Sequence, residues 1–141
     1  GTIPEYDKAI ELLKQNKIDE AYSVLENLNK KYPAFGDALF LMGSILIDKK
    51  DFDKAHDLLT QAKNLIPYHP FVYVALAKIY MSKEIYDKAK EALETALSLN
   101  PALKDEIGEN LGDLYYEFGE YEKALSLYES HLQITDIAVS R

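Results

Sequence analysis

The chain has 141 residues, no cysteine, and a formal net charge of −8, with 48% hydrophobic residues, the proportion of an ordinary globular domain rather than a disordered one. That composition excludes disulfides, thiol catalysis and cysteine-bound zinc. It also disfavours nucleic acid, because an acidic chain repels phosphates and fifteen of its sixteen basic residues are lysines, Arg141 alone carrying a guanidinium.

At the N-terminus Thr2-Ile3-Pro4-Glu5 reads as a capping box, with Pro4 in the first turn where no amide is needed. A first helix is expected from about Ile3 to Gln15. A second begins near Ile18, carries Ala21, Leu25 and Leu28, and is stopped by Tyr32-Pro33. The next unit places Leu39, Met42, Gly43 and Leu46 on one helix and Phe52, Ala55, Leu59 and Ala62 on its partner, with Asp51 as N-cap between them. The third unit, Pro70 to Pro101, is the clearest: Tyr73, Leu76, Ala77 and Tyr80 recur at helical spacing, then Tyr86, Ala89, Leu93 and Ala96. Shifting it back by 34 residues turns Ala77 into Gly43, Ala89 into Ala55 and Pro101 into Pro67. A second shift gives Ala9, Ala21 and Pro33. After Pro101 the register slips by one, so that Leu111, Gly112, Tyr115, Ala124 and Tyr128 fit a fourth unit starting at Asp105, in which His131 replaces a small residue and Asp136 the closing proline. The small residues Ala9, Gly43, Ala77 and Gly112, with Ala21, Ala55, Ala89 and Ala124, are expected where paired helices cross most closely.

A period of 34 with a bulky residue, Leu-Gly, Tyr, Ala, an aromatic or Leu, Ala and Pro in fixed order resembles the tetratricopeptide repeat from end to end. The resemblance implies an all-α fold, a right-handed superhelix or α-solenoid of about four helix–turn–helix repeats near 2–35, 36–69, 70–104 and 105–138, forming one domain. The first repeat is atypical, with Glu5 where the others have Leu39, Tyr73 or Gly108, as an end repeat would be. No closing helix follows the fourth. The sequence is therefore expected to be a fragment, to have a partner at that end, or to expose an edge there.

The family lines a groove with the first helix of each repeat. The matching positions here are Tyr6, Ile10 and Leu13; Phe40, Leu41, Ser44 and Ile47; Phe71, Val74, Lys78 and Met81, with Ala75; and Glu106, Glu109, Asn110, Asp113, Tyr116 and Glu117. The first three groups are mainly apolar. In the last, Glu106, Glu109, Asp113 and Glu117 are spaced to form one acidic helix face, within a quarter of the chain (105–141) that carries two basic against nine acidic groups. The carboxylate clamp known in chaperone-tail adaptors is absent, since Tyr6, Ile10, Leu41, Phe71 and Ala75 occupy its places.

No phosphate loop, metalloprotease pattern or nucleophile elbow is present. His56, His69 and His131 belong to three different units and are expected on surfaces and turns. The resulting expectation is a non-catalytic scaffold without cofactor or metal, cytoplasmic, away from nucleic acid and membrane. It would bind a protein or peptide through a hydrophobic segment with a basic end. The alternatives are a self-assembling module whose groove is filled by another copy or a flanking segment, and a chaperone for hydrophobic secreted segments.

Overall fold

The computed structural model describes the backbone of residues 2–140 and the side chains of residues 2–130; the side chains of His131 and Asp136 lie outside the described residues. Eight α-helices follow one another: α1 (Pro4–Lys14), α2 (Ile18–Lys31), α3 (Gly36–Asp48), α4 (Phe52–Leu65), α5 (Pro70–Ser82), α6 (Tyr86–Leu99), α7 (Lys104–Glu117) and α8 (Tyr121–Ser140). Each odd-numbered helix packs on its successor, and each pair packs on the next, giving an α-solenoid. None of the helices among the described residues is long and apolar enough to cross a membrane.

The apolar contacts gather in three clusters, one per junction. Ala9, Leu25 and Leu28 meet Ala38, Met42 and Ile45; Leu39, Leu59 and Ala62 meet Val72, Leu76 and Ile79; Leu93 and Ala96 meet Ile107, Leu111 and Leu114. A single repeat cannot enclose its own stripe, so stability comes from stacking neighbours. The predicted small residues do sit at the close crossings. Ala9, Ala21, Ala55, Ala77, Ala89 and Ala124 are all buried, and a β-carbon added at Gly43 would come within 2.6 Å of Leu59.

The helix ends differ from expectation at one point. The capping box does not form, because α1 starts at Pro4 with Ile3 as N-cap and no side-chain cap. Ile3 packs into the first cluster, and its burial sets the start of the helix in place of the Thr2 hydroxyl. Glu5 instead accepts a hydrogen bond from Lys31 Nζ at 3.2 Å. Asp51 caps α4 as predicted, accepting from the Lys54 amide at 3.4 Å. The slip in register is absorbed by a 3-10 turn at Pro101–Leu103, capped by Asn100.

All four first helices end alike. Asn16, Lys50, Glu84 and Gly119 adopt φ of 59°, 64°, 59° and 79°. In each case the following amide reaches back to the helix, as Asp51 does to Leu46 at 2.9 Å and Ile85 to Tyr80 at 2.8 Å. This is a Schellman closure, whose left-handed residue favours glycine. Only the fourth repeat supplies one. A non-glycine residue pays roughly 1–2 kcal/mol there, of which glycine returns about 0.4–1 kcal/mol as unfolded-state entropy. Glu84→Gly is therefore expected to raise stability by up to about 1 kcal/mol, read as a shift in urea midpoint with unchanged slope.

Candidate functional site: the face of the first helices

The side chains that the groove positions supply divide by repeat. Tyr6, Leu13 and Leu41 are half-buried in the first junction, Phe40 and Ile47 in the second, and Val74 and Met81 in the third. Much of the apolar row is thus seam between adjacent first helices. Ala75 is buried outright, because α3 packs directly on α5 and covers it. Ile10 is half-buried. Ser44 donates its hydroxyl to the Phe40 carbonyl at 2.9 Å, so its polar group is satisfied within its own helix.

Two parts of this face remain open. At the second junction His69, the N-cap of α5, lies between Phe40 and Phe71, with ring centroids at 4.9 Å and 6.1 Å. The imidazole joins two aromatic groups from neighbouring repeats into one surface, and Phe71 is 40% exposed. The expectation of a turn histidine found its location but not this role. Its signal was its place two residues before Phe71.

At the third junction α5 and α7 part, and Val74, Lys78 and Met81 face Asn110 across a recess of about 330 Å³ floored by Leu93 and Ile107. A neighbouring recess shares Met81 and is lined by Asp113 and Glu117. The predicted apolar row and acidic stripe therefore meet at Met81. Glu106, Glu109, Asn110, Asp113 and Glu117 are exposed, but the stripe is not a bare row of charges. Asp113 accepts the Tyr128 hydroxyl of α8. Tyr116, expected in the groove, turns instead toward Tyr121, centroids 5.2 Å apart, and is 57% exposed.

The Asp113 bond, together with desolvation and the charges of Asp113 and Glu109, pushes the Tyr128 phenol up to about 12 from about 10. A raised folded pKa means that the folded state holds its proton longer. This contribution is complete below pH about 10 and is lost as pH rises toward about 12. An alkaline loss of stability in that window, smaller in Tyr128→Phe by urea titration, is the expected result.

The remaining histidine with described surroundings corrects an expectation. His56 was read as a surface residue, but it is half-buried with Nε2 3.4 Å from the Tyr80 hydroxyl of the next repeat, and it serves the stack. Among the described residues no group of three or more His, Asp or Glu side chains is placed to hold a metal.

Tetratricopeptide repeat models match residues 12–79, 70–103 and 109–137. No curated protein matches the chain. Solved structures that resemble it include MamA 41-end from Desulfovibrio magneticus RS-1, at 21% identity and TM-score 0.78 over 94% of this chain and 75% of that one. A MamA RS-1 ArsTM double mutant aligns at 21% identity and TM-score 0.80, covering 98% and 77%. A crystal structure of MamA aligns at 22% and 0.75, covering 89% and 73%. At such identity the likeness is one of fold. With repeat models covering most of the sequence and four stacked helix pairs in the structure, the chain belongs to the tetratricopeptide repeat family.

Proposed function

We propose that this protein-interaction scaffold is non-catalytic and holds a peptide or helix of a protein partner across the face of its first helices. The partner's hydrophobic stretch lies on Phe40, Phe71, Val74 and Met81, and its Lys/Arg-rich end lies beside Glu106, Glu109, Asp113 and Glu117. The observation that carries this reading is the shared wall at Met81, where one mainly apolar recess continues into a second, also mainly apolar, that is edged by Asp113 and Glu117. Apolar contact supplies affinity, and the acidic end supplies orientation and a faster encounter.

The test uses a labelled peptide with a Leu/Val-rich half and a Lys-rich half, its scrambled control, and fluorescence anisotropy. Binding is expected to weaken as salt rises, since exposed charges are screened over about 10 Å at 0.1 M. Glu106→Lys with Glu117→Lys should weaken it about tenfold at low salt, the equivalent of about 1.4 kcal/mol. Those two positions are preferred to Asp113, where lysine would also break the bond to Tyr128. Equal affinity of the double variant and the parent would refute the reading. So would a dimer in light scattering that Phe40→Glu with Val74→Glu converts to monomer, because the face would then belong to a second copy.

A further inference from the structure

The three junctions between repeats are built alike except at one point. Lys49 closes α3 and Lys83 closes α5, and each sets its ammonium on the carboxylate at the second position of the preceding second helix, Asp19 in α2 and Asp53 in α4. At the third junction the carboxylate is kept, as Asp87 in α6, but α7 closes on Phe118. The lysine is missing. Positive charge is short at a second place as well, because Glu117 is the last residue of α7 and its final turn holds no basic group, at the helix end whose dipole favours a cation. Among the described residues neither Asp87 nor Glu117 forms an ion pair. Lys90 lies over the Phe118 ring at 4.7 Å, but its charge is committed to Glu120 at 2.9 Å.

Where the lysine is missing the junction opens. Ile18 and Phe52, which begin α2 and α4, are half-buried, whereas Tyr86 at the same position of α6 is 43% exposed and Phe118 is 45% exposed. Between them lies the recess that shares Met81 with its neighbour, about 480 Å³ in volume, walled by Met81, Tyr86, Leu114 and Phe118 and edged by Asp113 and Glu117. Apolar walls with carboxylates at the edge suit a side chain that carries a cation on a long aliphatic stem, and the aromatic rings attract the same cation. A purely apolar group would fill the walls and leave the charge uncompensated.

We propose that this recess anchors a single lysine or arginine side chain of the partner, its stem against Tyr86 and Phe118 and its cation beside Glu117 and Asp87, in the role that Lys49 and Lys83 fill at the first two junctions. The proposal deepens the reading above and rests on it for the partner's basic end: the recess reads one residue of that end, not its summed charge.

The probes are the blocked tripeptide acetyl-Leu-Lys-Leu-amide and its versions with arginine or norleucine at the centre; norleucine keeps the stem and lacks the ammonium. Titrated into the full chain and followed in carbon–proton spectra of the aromatic rings, the lysine and arginine probes should shift the Tyr86 and Phe118 signals saturably. The norleucine probe should bind about tenfold more weakly, the loss expected for one cation–π contact and an exposed ion pair. Glu117→Gln should shrink that preference. Phe118→Lys supplies from within the chain the lysine of the other junctions, and should abolish it; the position is exposed, and an unchanged or higher melting temperature will show that the variant is folded. Asp105→Asn, the same charge change as Glu117→Gln but at the other end of α7, should leave the preference intact. The proposal is overturned by equal binding of the lysine and norleucine probes, by absence of shifts at Tyr86 and Phe118, or by a preference that survives Phe118→Lys. It is also overturned by a dimer in sedimentation that Phe118→Lys dissolves, since the cation would then come from another copy. The short probes do not span the rest of the first-helix face, so the two readings fail separately. If the long peptide binds and the short probes do not, the anchor is wrong and the scaffold reading stands; if only the short probes bind, the recess stands and the longer site is wrong.

Discussion

Gly43→Ala is expected to destabilise the protein by about 1–3 kcal/mol, the usual cost of overpacking, and Gly43→Leu to leave its repeat unable to close. The β-carbon of alanine would lie 2.6 Å from Leu59 Cγ and 2.8 Å from Cδ2, well inside van der Waals contact. Leu59 is 0% exposed, held among Leu39, Ala55, Ala62 and Leu76, and has no open side into which to retreat. Ala9 and Ala77 already carry a methyl group at the equivalent crossing in their own repeats, so the intolerance depends on the facing side chain, Leu59 here and Tyr128 opposite Gly112, and not on the position as such. A double-mutant cycle isolates the cause. Leu59→Ala alone should cost about 2–5 kcal/mol through the cavity it leaves, and in that background Gly43→Ala should become neutral or favourable by refilling it. Urea unfolding measures all four corners. If Gly43→Ala melts with the parent, the close crossing is not where the helices are placed.

That crossing was legible because a period of 34 reports which residues share a helix face, and a small residue recurring at one phase needs a close neighbour at another. What the period could not report was the identity of partners across repeats. His56 meets Tyr80 and His69 joins Phe40 to Phe71 because of the angle between neighbouring pairs, which no single repeat encodes. The Asp113–Tyr128 bond left a better trace. Tyr128 stands at the phase of Leu25, Leu59 and Leu93, opposite Gly112, and an added β-carbon there would lie 2.7 Å from its ring. A side chain so much longer than leucine had to overshoot the crossing and place its hydroxyl on the far side of α7, where Asp113 is one residue from Gly112. The Thr2–Glu5 signature failed for the opposite reason. It is a purely local pattern, and burial of Ile3 in the first cluster outweighed it. The acidic stripe was legible as spacing, but its meeting with the apolar row at Met81 depends on α5 and α7 parting, which the single inserted residue near Pro101 only hinted at.

Deleting residues 36–69 should yield a shorter protein that still folds, with stability lower by about 2–5 kcal/mol, the loss expected for 34 residues at about 0.05–0.15 kcal/mol each. The join works because the lost junctions and the new one use the same positions. The outer face of α2, which packs on Ala38, Met42 and Ile45, would meet Val72, Leu76 and Ile79, all apolar and of similar or modestly different volume. The ion pair survives in kind, since Asp19 would receive Lys83 in place of Lys49. The hydroxyl of Tyr73, which donates to the Pro67 carbonyl at 2.6 Å, would find Pro33 at the equivalent point of the turn. Two mismatches set the cost: the Val72 and Tyr73 side chains are larger than Ala38 and Leu39, and Tyr22, packed between the first two clusters, would lose its contacts with the deleted helices. Stability in stacked repeats is a sum of units and their interfaces, so one unit and one interface disappear while the rest stand. The slope of the urea transition should fall roughly in proportion to the surface no longer buried, and circular dichroism should keep its helical shape per residue. A deletion product that binds a hydrophobic dye and melts without cooperativity would show that the repeats are not interchangeable at this junction.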